Sequence, residues 1–126
     1  MPQPQHILVV DDEAPIRDLL TRFFQKRGYQ VTTAASVEEA TRMAAAAKFN
    51  LIILDILLSD GDGLDLLGNF KLSHPDVPVI IMTGIGFDEE LFREAQDKGA
   101  AGFVAKTLPL DQLLMEVHRS LGQFKP

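Results

Sequence analysis

The sequence predicts an α/β fold, a doubly wound parallel sheet built from successive βα units, and three features carry that expectation. Short apolar, β-branched runs occur without polar alternation, as in strands covered on both faces. Segments with apolar residues at helical spacing separate these runs. The alternation continues along nearly the whole chain, which is the pattern of helices packed on both sides of a mostly parallel sheet.

The elements follow in order. Ile7-Leu8-Val9-Val10 is an uninterrupted apolar run and the first strand. Pro15 then stands in a first helical turn, where its missing N–H is harmless. Ile16, Leu19, Leu20, Phe23 and Phe24 repeat at helical spacing until Gly28 stops the run. Val31-Thr32-Thr33 is a weaker strand. Ser36 and Glu39 form a capping-box pattern ahead of Val37, Ala40, Met43, Ala44 and Ala47. Asn50 to Leu54 is a strand like the first, and a third helix is expected from Gly63 to Ser73. Val77 to Met82 is the fourth strand, followed by a helix from Asp88 to Lys98 that Gly99 stops. Gly102 to Ala105 is a short fifth strand. The last helix begins near Pro109 and buries Leu110, Leu113, Leu114, Val117 and Leu121.

A chain of 126 residues fits one domain spanning 1–126, with residues 1–5 and 122–126 expected as flexible ends. It fits equally a complete protein or the N-terminal module of a longer one. There is no cysteine, which excludes a disulfide framework, a thiolate metal site and a cysteine nucleophile. The net charge of −6, with Lys and Arg scattered, argues against direct nucleic-acid binding. No signal-peptide pattern opens the chain, and no apolar run is long enough to span a bilayer. A cytoplasmic protein with no membrane contact is expected.

In such sheets ligands bind at the carboxyl ends of the strands. There the first strand ends in Asp11-Asp12, followed by Glu13; the third ends in Asp55, the fourth in Thr83 and the fifth in Lys106. Acidic residues near strand ends often do no more than cap helices, which is a fair alternative for Asp12 or Glu13. It does not account for Asp55, which ends an apolar strand and precedes Ile56, Leu57 and Leu58. Clustered carboxylates repel one another and invite a hard divalent cation, and Mg2+ suits a few carboxylates, waters and phosphate oxygens. Thr83 can donate a hydrogen bond to a phosphoryl oxygen and Lys106 can offset its charge. A carboxylate can itself take up a phosphoryl group as an acyl phosphate.

Val9-Val10-Asp11-Asp12-Glu13, Leu54-Asp55, Asp62-Gly63, Met82-Thr83-Gly84, Lys98-Gly99-Ala100 and Phe103-Val104-Ala105-Lys106 stand in the right order at the right element ends. On these motifs the sequence resembles, over almost its entire length, the receiver domain of bacterial two-component response regulators. The resemblance implies a flavodoxin-like receiver fold with strand order 2-1-3-4-5. It implies a regulatory switch, not an enzyme beyond self-catalysed phosphorylation and dephosphorylation. Asp55 would accept a phosphoryl group from a sensor histidine kinase or a phosphotransfer protein. Asp11, Asp12, Asp55 and the backbone carbonyl of Leu57 would hold Mg2+, Asp11 through a water. Lys106 and Thr83 would contact the phosphoryl group, and Thr83 and Phe103 would form the switch. The face formed by helix 4, strand 5 and helix 5 would change and could pair two copies of the chain.

Some positions depart from the family pattern. Thr107 follows Lys106 where the family usually has a proline in a cis bond. A cis bond without proline costs about 3–4 kcal/mol, so a trans Lys106–Thr107 bond and a reshaped loop are favoured over tolerated strain. Ser59 replaces a common proline, and a looser loop is expected there. Leu57 and Ile85 are apolar where side chains tune phosphoryl lifetime, which suggests a long-lived acyl phosphate. His6, His74 and His118 lie on no metal-ligand spacing and are expected to be satisfied or solvated. A haloacid-dehalogenase-type phosphatase, which also uses an aspartyl nucleophile, needs a second Asp where Leu57 stands. A flavodoxin-like binding module would place phosphate against Asp11-Asp12-Glu13, which repels it.

Overall fold

In the computed structural model, which describes residues 4–84, 88–106 and 109–122, the five apolar runs form one parallel sheet. Its strands are β1 (His6–Val10), β2 (Gln30–Ala34), β3 (Leu51–Asp55), β4 (Val79–Thr83) and β5 (Gly102–Ala105). They lie in the order β2-β1-β3-β4-β5, as expected, with every neighbouring pair parallel. The helices are α1 (Ala14–Gln25), α2 (Val37–Ala46), α3 (Gly63–Ser73), α4 (Glu89–Asp97) and α5 (Leu110–Ser120).

Strand alternation divides the interior into two cores. Leu8, Val10, Ile52, Leu54, Val79 and Ile81 face one side, against Ala40, Ala44, Leu66, Leu67, Phe70 and Ala95 of α2, α3 and α4. Ile7, Val9, Leu51, Ile53, Ile80 and Met82 face the other, against Leu20, Phe24, Leu113 and Val117 of α1 and α5. That double coverage is why β1, β3 and β4 show no polar alternation.

Helix ends follow local chemistry. Ser36 Oγ accepts from the Glu39 N–H at 3.1 Å, and Glu39 Oε1 accepts from the Ala35 N–H at 2.8 Å, one residue upstream of the usual capping-box partner. Asp88 caps α4 through the N–H groups of Glu90 and Leu91. Gly28 and Gly99 follow their helices at φ 90° and 95°, the left-handed conformation that ends a helix without a Cβ clash.

Three expectations are corrected. β3 begins at Leu51 and β4 at Val79, later than the runs expected from Asn50 and Val77, in β4 because Pro78 has no N–H to give the ladder, while their ends at Asp55 and Thr83 are as expected. Leu19 is 48% exposed, not core, since it falls at the margin of the stripe that buries Leu20 and Phe24. The loop after β3 is not loose. Leu57-Leu58 pairs antiparallel with Gly61-Asp62, and Asp60 accepts from the Val37 and Glu38 N–H groups at 2.8 and 3.2 Å.

His6 Nε2 lies 2.7 Å from Thr32 Oγ1 and His74 Nδ1 lies 2.8 Å from Ser73 Oγ, both satisfied as expected. At the ends of the described chain, the Gln5 carbonyl accepts from Gln30 N–H at 2.9 Å and Gly122 N–H donates to Arg119 at 3.1 Å. Residues 1–3 and 123–126, part of the ends expected to be flexible, lie outside the described residues. No helix among the described residues is long and apolar enough to cross a membrane.

Candidate functional site

The site forms where β1, β3, β4 and β5 end. Asp11 leaves β1 with its N–H donating to Ala34 at 3.0 Å, so it continues the β1–β2 ladder by one rung. Its side chain is turned inward and fully buried. Asp11 Oδ1 accepts from the Glu13 N–H at 2.8 Å, and its carbonyl accepts from Arg17 Nη1 at 2.8 Å. Asp55, the last residue of β3, is 3% exposed. Its Oδ1 accepts from the Leu57 N–H at 3.3 Å. Thr83 ends β4 equally buried, and its carbonyl accepts from the Lys106 N–H at 2.8 Å.

Lys106 crosses the mouth of this group. Its stem runs past Gly84, where an added Cβ would lie 3.4 Å from Lys106 Cδ. Lys106 Nζ reaches Asp55 Oδ2 at 2.8 Å, Asp11 Oδ2 at 3.0 Å and Glu13 Oε1 at 2.7 Å. Burial pushes the Asp11 and Asp55 carboxyls above the usual carboxylate range, against the lowering effect of the ammonium and of local N–H donors. Burial disfavours the Lys106 charge too, but its contacts with the carboxylates of Asp55, Glu13 and Asp11 outweigh it and raise its pKa.

The donor set fits a hard divalent cation. Oxygens of Asp11, Asp12, Glu13 and Asp55 lie within 4.8 Å of one another. Asp11 Oδ2 is buried without a hydrogen bond: its contact with Lys106 is one of charge only. A fully buried carboxylate oxygen left without a donor, beside exposed Asp12, is what a cation at this edge would satisfy.

The sequence-expected residues Asp11, Asp12, Asp55, Thr83 and Lys106 therefore meet at one edge. Leu57 is adjacent, with its side chain 60% exposed and its backbone in the short ribbon. Phe103 of β5 lies further out, half-buried, its ring 5.5 Å from Phe92 of α4 in an edge-to-face contact. The expectation missed Glu13 as a partner of Lys106. Only its place beside Asp11-Asp12 hinted at it, because the two residues are 93 positions apart. The Lys106–Thr107 bond and Ile85 lie outside the described residues.

An open parallel sheet of this order with an acidic pocket and a lysine at its carboxyl edge is the architecture of a CheY-like receiver domain. The model of the response regulator receiver domain family matches residues 7–118, and the chain belongs to that family. The nitrogen assimilation regulatory protein NtrX of Azorhizobium caulinodans is 38% identical over 117 residues, which are 91% of this chain and 26% of that protein. Sporulation initiation phosphotransferase F of Bacillus subtilis is 32% identical over 117 residues, covering 93% of this chain and 94% of its own. The chain spans 26%, 49% and 24% of the NtrX, PetR and NtrC relatives it matches. A CheY-like receiver domain protein from Methanospirillum hungatei superposes with a TM-score of 0.91 at 28% identity, covering 96% of both chains. A Burkholderia pseudomallei response regulator, solved with a phosphorylated aspartic acid, a calcium ion and citrate, gives 0.86 at 28% identity over 94% of this chain and 69% of that one. The domain's function is phosphorylation-dependent two-component signalling, and its role is regulatory.

Proposed function

We propose that this chain acts as a single receiver domain whose phosphoacceptor is Asp55. The observation that carries the reading is the Asp55 carboxylate, buried at a strand end and ion-paired to Lys106 at 2.8 Å beside a second buried acid. The donor is a phosphohistidine on a sensor histidine kinase or a phosphotransfer protein, met in the cytoplasm. An Asp55 oxygen attacks phosphorus, the new O–P bond forms as the N–P bond breaks, and the imidazole leaves with the electron pair and takes up a proton. Dephosphorylation is the attack of water on the same acyl phosphate, giving inorganic phosphate and the free carboxylate.

Catalysis of such transfer rests on positioning and on charges placed where they develop. Asp11, Asp12, Asp55 and the Leu57 carbonyl would hold Mg2+, which when bound supplies charge neutralisation at the phosphoryl oxygens. Lys106 offsets the added negative charge, and Thr83 donates its hydroxyl to a phosphoryl oxygen. Thr83 lies one strand from Phe103, so movement of Thr83 makes room for the ring to turn inward and reshapes the α4-β5-α5 face. That face, with the Phe92–Phe103 pair on it, is the one proposed for contact with a second copy or another protein. Leu57, where a phosphatase of haloacid-dehalogenase type needs its acid/base, weighs against an enzyme.

The test is intact mass after incubation with acetyl phosphate, with and without Mg2+, for wild type and Asp55→Asn. A Mg2+-dependent phosphoryl adduct on wild type and none on the variant is expected. An adduct that persists in Asp55→Asn, or forms equally with chelator, refutes the assignment.

A further inference from the structure

Lys106 is held by three carboxylates, and one of them has no part in the phosphoryl chemistry described above. Glu13 Oε1 accepts from Lys106 Nζ at 2.7 Å, the shortest of the three contacts. Glu13 occupies the N-cap position of α1, where an acceptor side chain normally turns back onto the helix's first N–H groups. It makes no such bond and reaches across the pocket instead. The Glu13 side chain is 58% exposed while that of Lys106 is only 11% exposed, so the ammonium sits at the rim with Glu13 on its outer side.

We infer that Glu13 is a positioning residue that keeps the Lys106 ammonium at the mouth of the site when the oxygens of Asp11 and Asp55 are claimed by a divalent ion and a phosphoryl group. The inference rests on the proposed role of Asp55. An ammonium has three protons to place and a flexible four-carbon stem. Without Glu13 its only anchors are the carboxylates that the chemistry uses. With Glu13 it retains one anchor throughout, which keeps the stem ordered and the charge beside the incoming phosphoryl group. Glu13 belongs to the same acidic cluster but stands on its exposed side, and the cation ligands proposed above are Asp11, Asp12, Asp55 and the Leu57 carbonyl.

A double-mutant cycle on the full chain tests this, using wild type, Glu13→Gln, Lys106→Ala and the double variant. Phosphorylation rates are measured with acetyl phosphate at saturating Mg2+, Mg2+ affinity by calorimetry, and proton exchange of the 15N-labelled Lys106 ammonium in the Mg2+-bound protein by NMR. Glu13→Gln is expected to slow phosphorylation by about tenfold, as charged neighbours that couple do. It should do nothing further in the Lys106→Ala background. It should also speed ammonium exchange and leave Mg2+ affinity little changed. Equal loss in both backgrounds, no loss at all, or a Mg2+ affinity that falls in step with the rate would overturn the proposal. A wild type that is not phosphorylated on Asp55 would instead overturn the assignment of Asp55, and this inference would fall with it.

Discussion

Gly63 opens α3 against the end of β3, where Asp55 stands. A Cβ built there would lie 2.0 Å from the Asp55 carbonyl oxygen and 2.9 Å from Ile56 Cα, both backbone atoms that no rotamer change can move. The Gly63 N–H also donates to the Ile56 carbonyl at 2.7 Å, which fixes the approach of α3 to β3. The glycine is required for this close contact and not for an unusual φ. Gly63→Ala must therefore displace the backbone that carries Asp55. The expected result is a loss of about 1–3 kcal/mol of stability, measured by urea unfolding, together with slower phosphorylation by acetyl phosphate. Retained stability and rate would mean that α3 can shift without moving Asp55.

At the scale of elements, the uninterrupted strands and capped helices were legible because local patterning dictates them. Ile7 to Val10 and Leu51 to Leu54 have no polar face to show, and a strand of that kind belongs in the middle of a parallel sheet. Asp11, Asp55, Thr83 and Lys106 were legible as a site for the same reason: each ends a strand or directly follows one, and parallel strands carry their ends to one edge. What stayed hidden depends on contacts between distant residues. The short ribbon after β3 is held by Asp60, whose two oxygens take the Val37 and Glu38 N–H groups at the start of α2. Nothing near Asp60 in sequence announces that helix end. These N–H donors favour the ionised carboxylate and lower the Asp60 pKa from 3.8. A carboxyl group whose pKa is depressed on folding contributes stability above its unfolded value, and loses it as pH falls through the folded one. The stability gap between wild type and Asp60→Asn is therefore expected to be full at neutral pH, to begin shrinking below about 4 and to close as the pH falls through the lower folded pKa. Paired melting curves at neutral and acid pH measure it, and a gap unchanged with pH would show that the carboxylate charge plays no part in the cap.

Over the whole molecule, two apolar cores on the faces of the sheet supply the stability, while its carboxyl edge works against it. Asp11 is wholly buried, its Oδ2 has no hydrogen bond, and acidic oxygens of three neighbours lie within 4.8 Å. Lys106 offsets part of that repulsion, and a bound divalent ion would offset more. Function and stability therefore pull apart at this edge, as they commonly do at active sites. Asn at position 11 keeps an oxygen for the Glu13 N–H and removes one buried charge. Asp11→Asn is thus expected to melt above wild type in chelator, by virtue of the lost repulsion. Magnesium should reverse the order. A ligand that binds only the folded state at a hundredfold excess over its dissociation constant stabilises it by about 2.7 kcal/mol, which wild type should gain as a clear rise in melting temperature and the variant should largely forgo. Thermal melts of both proteins in chelator and in Mg2+ decide the matter. If Asp11→Asn melts below wild type without the ion, the Lys106 contact outweighs the repulsion. If it gains as much as wild type with the ion, Asp11 does not serve the cation.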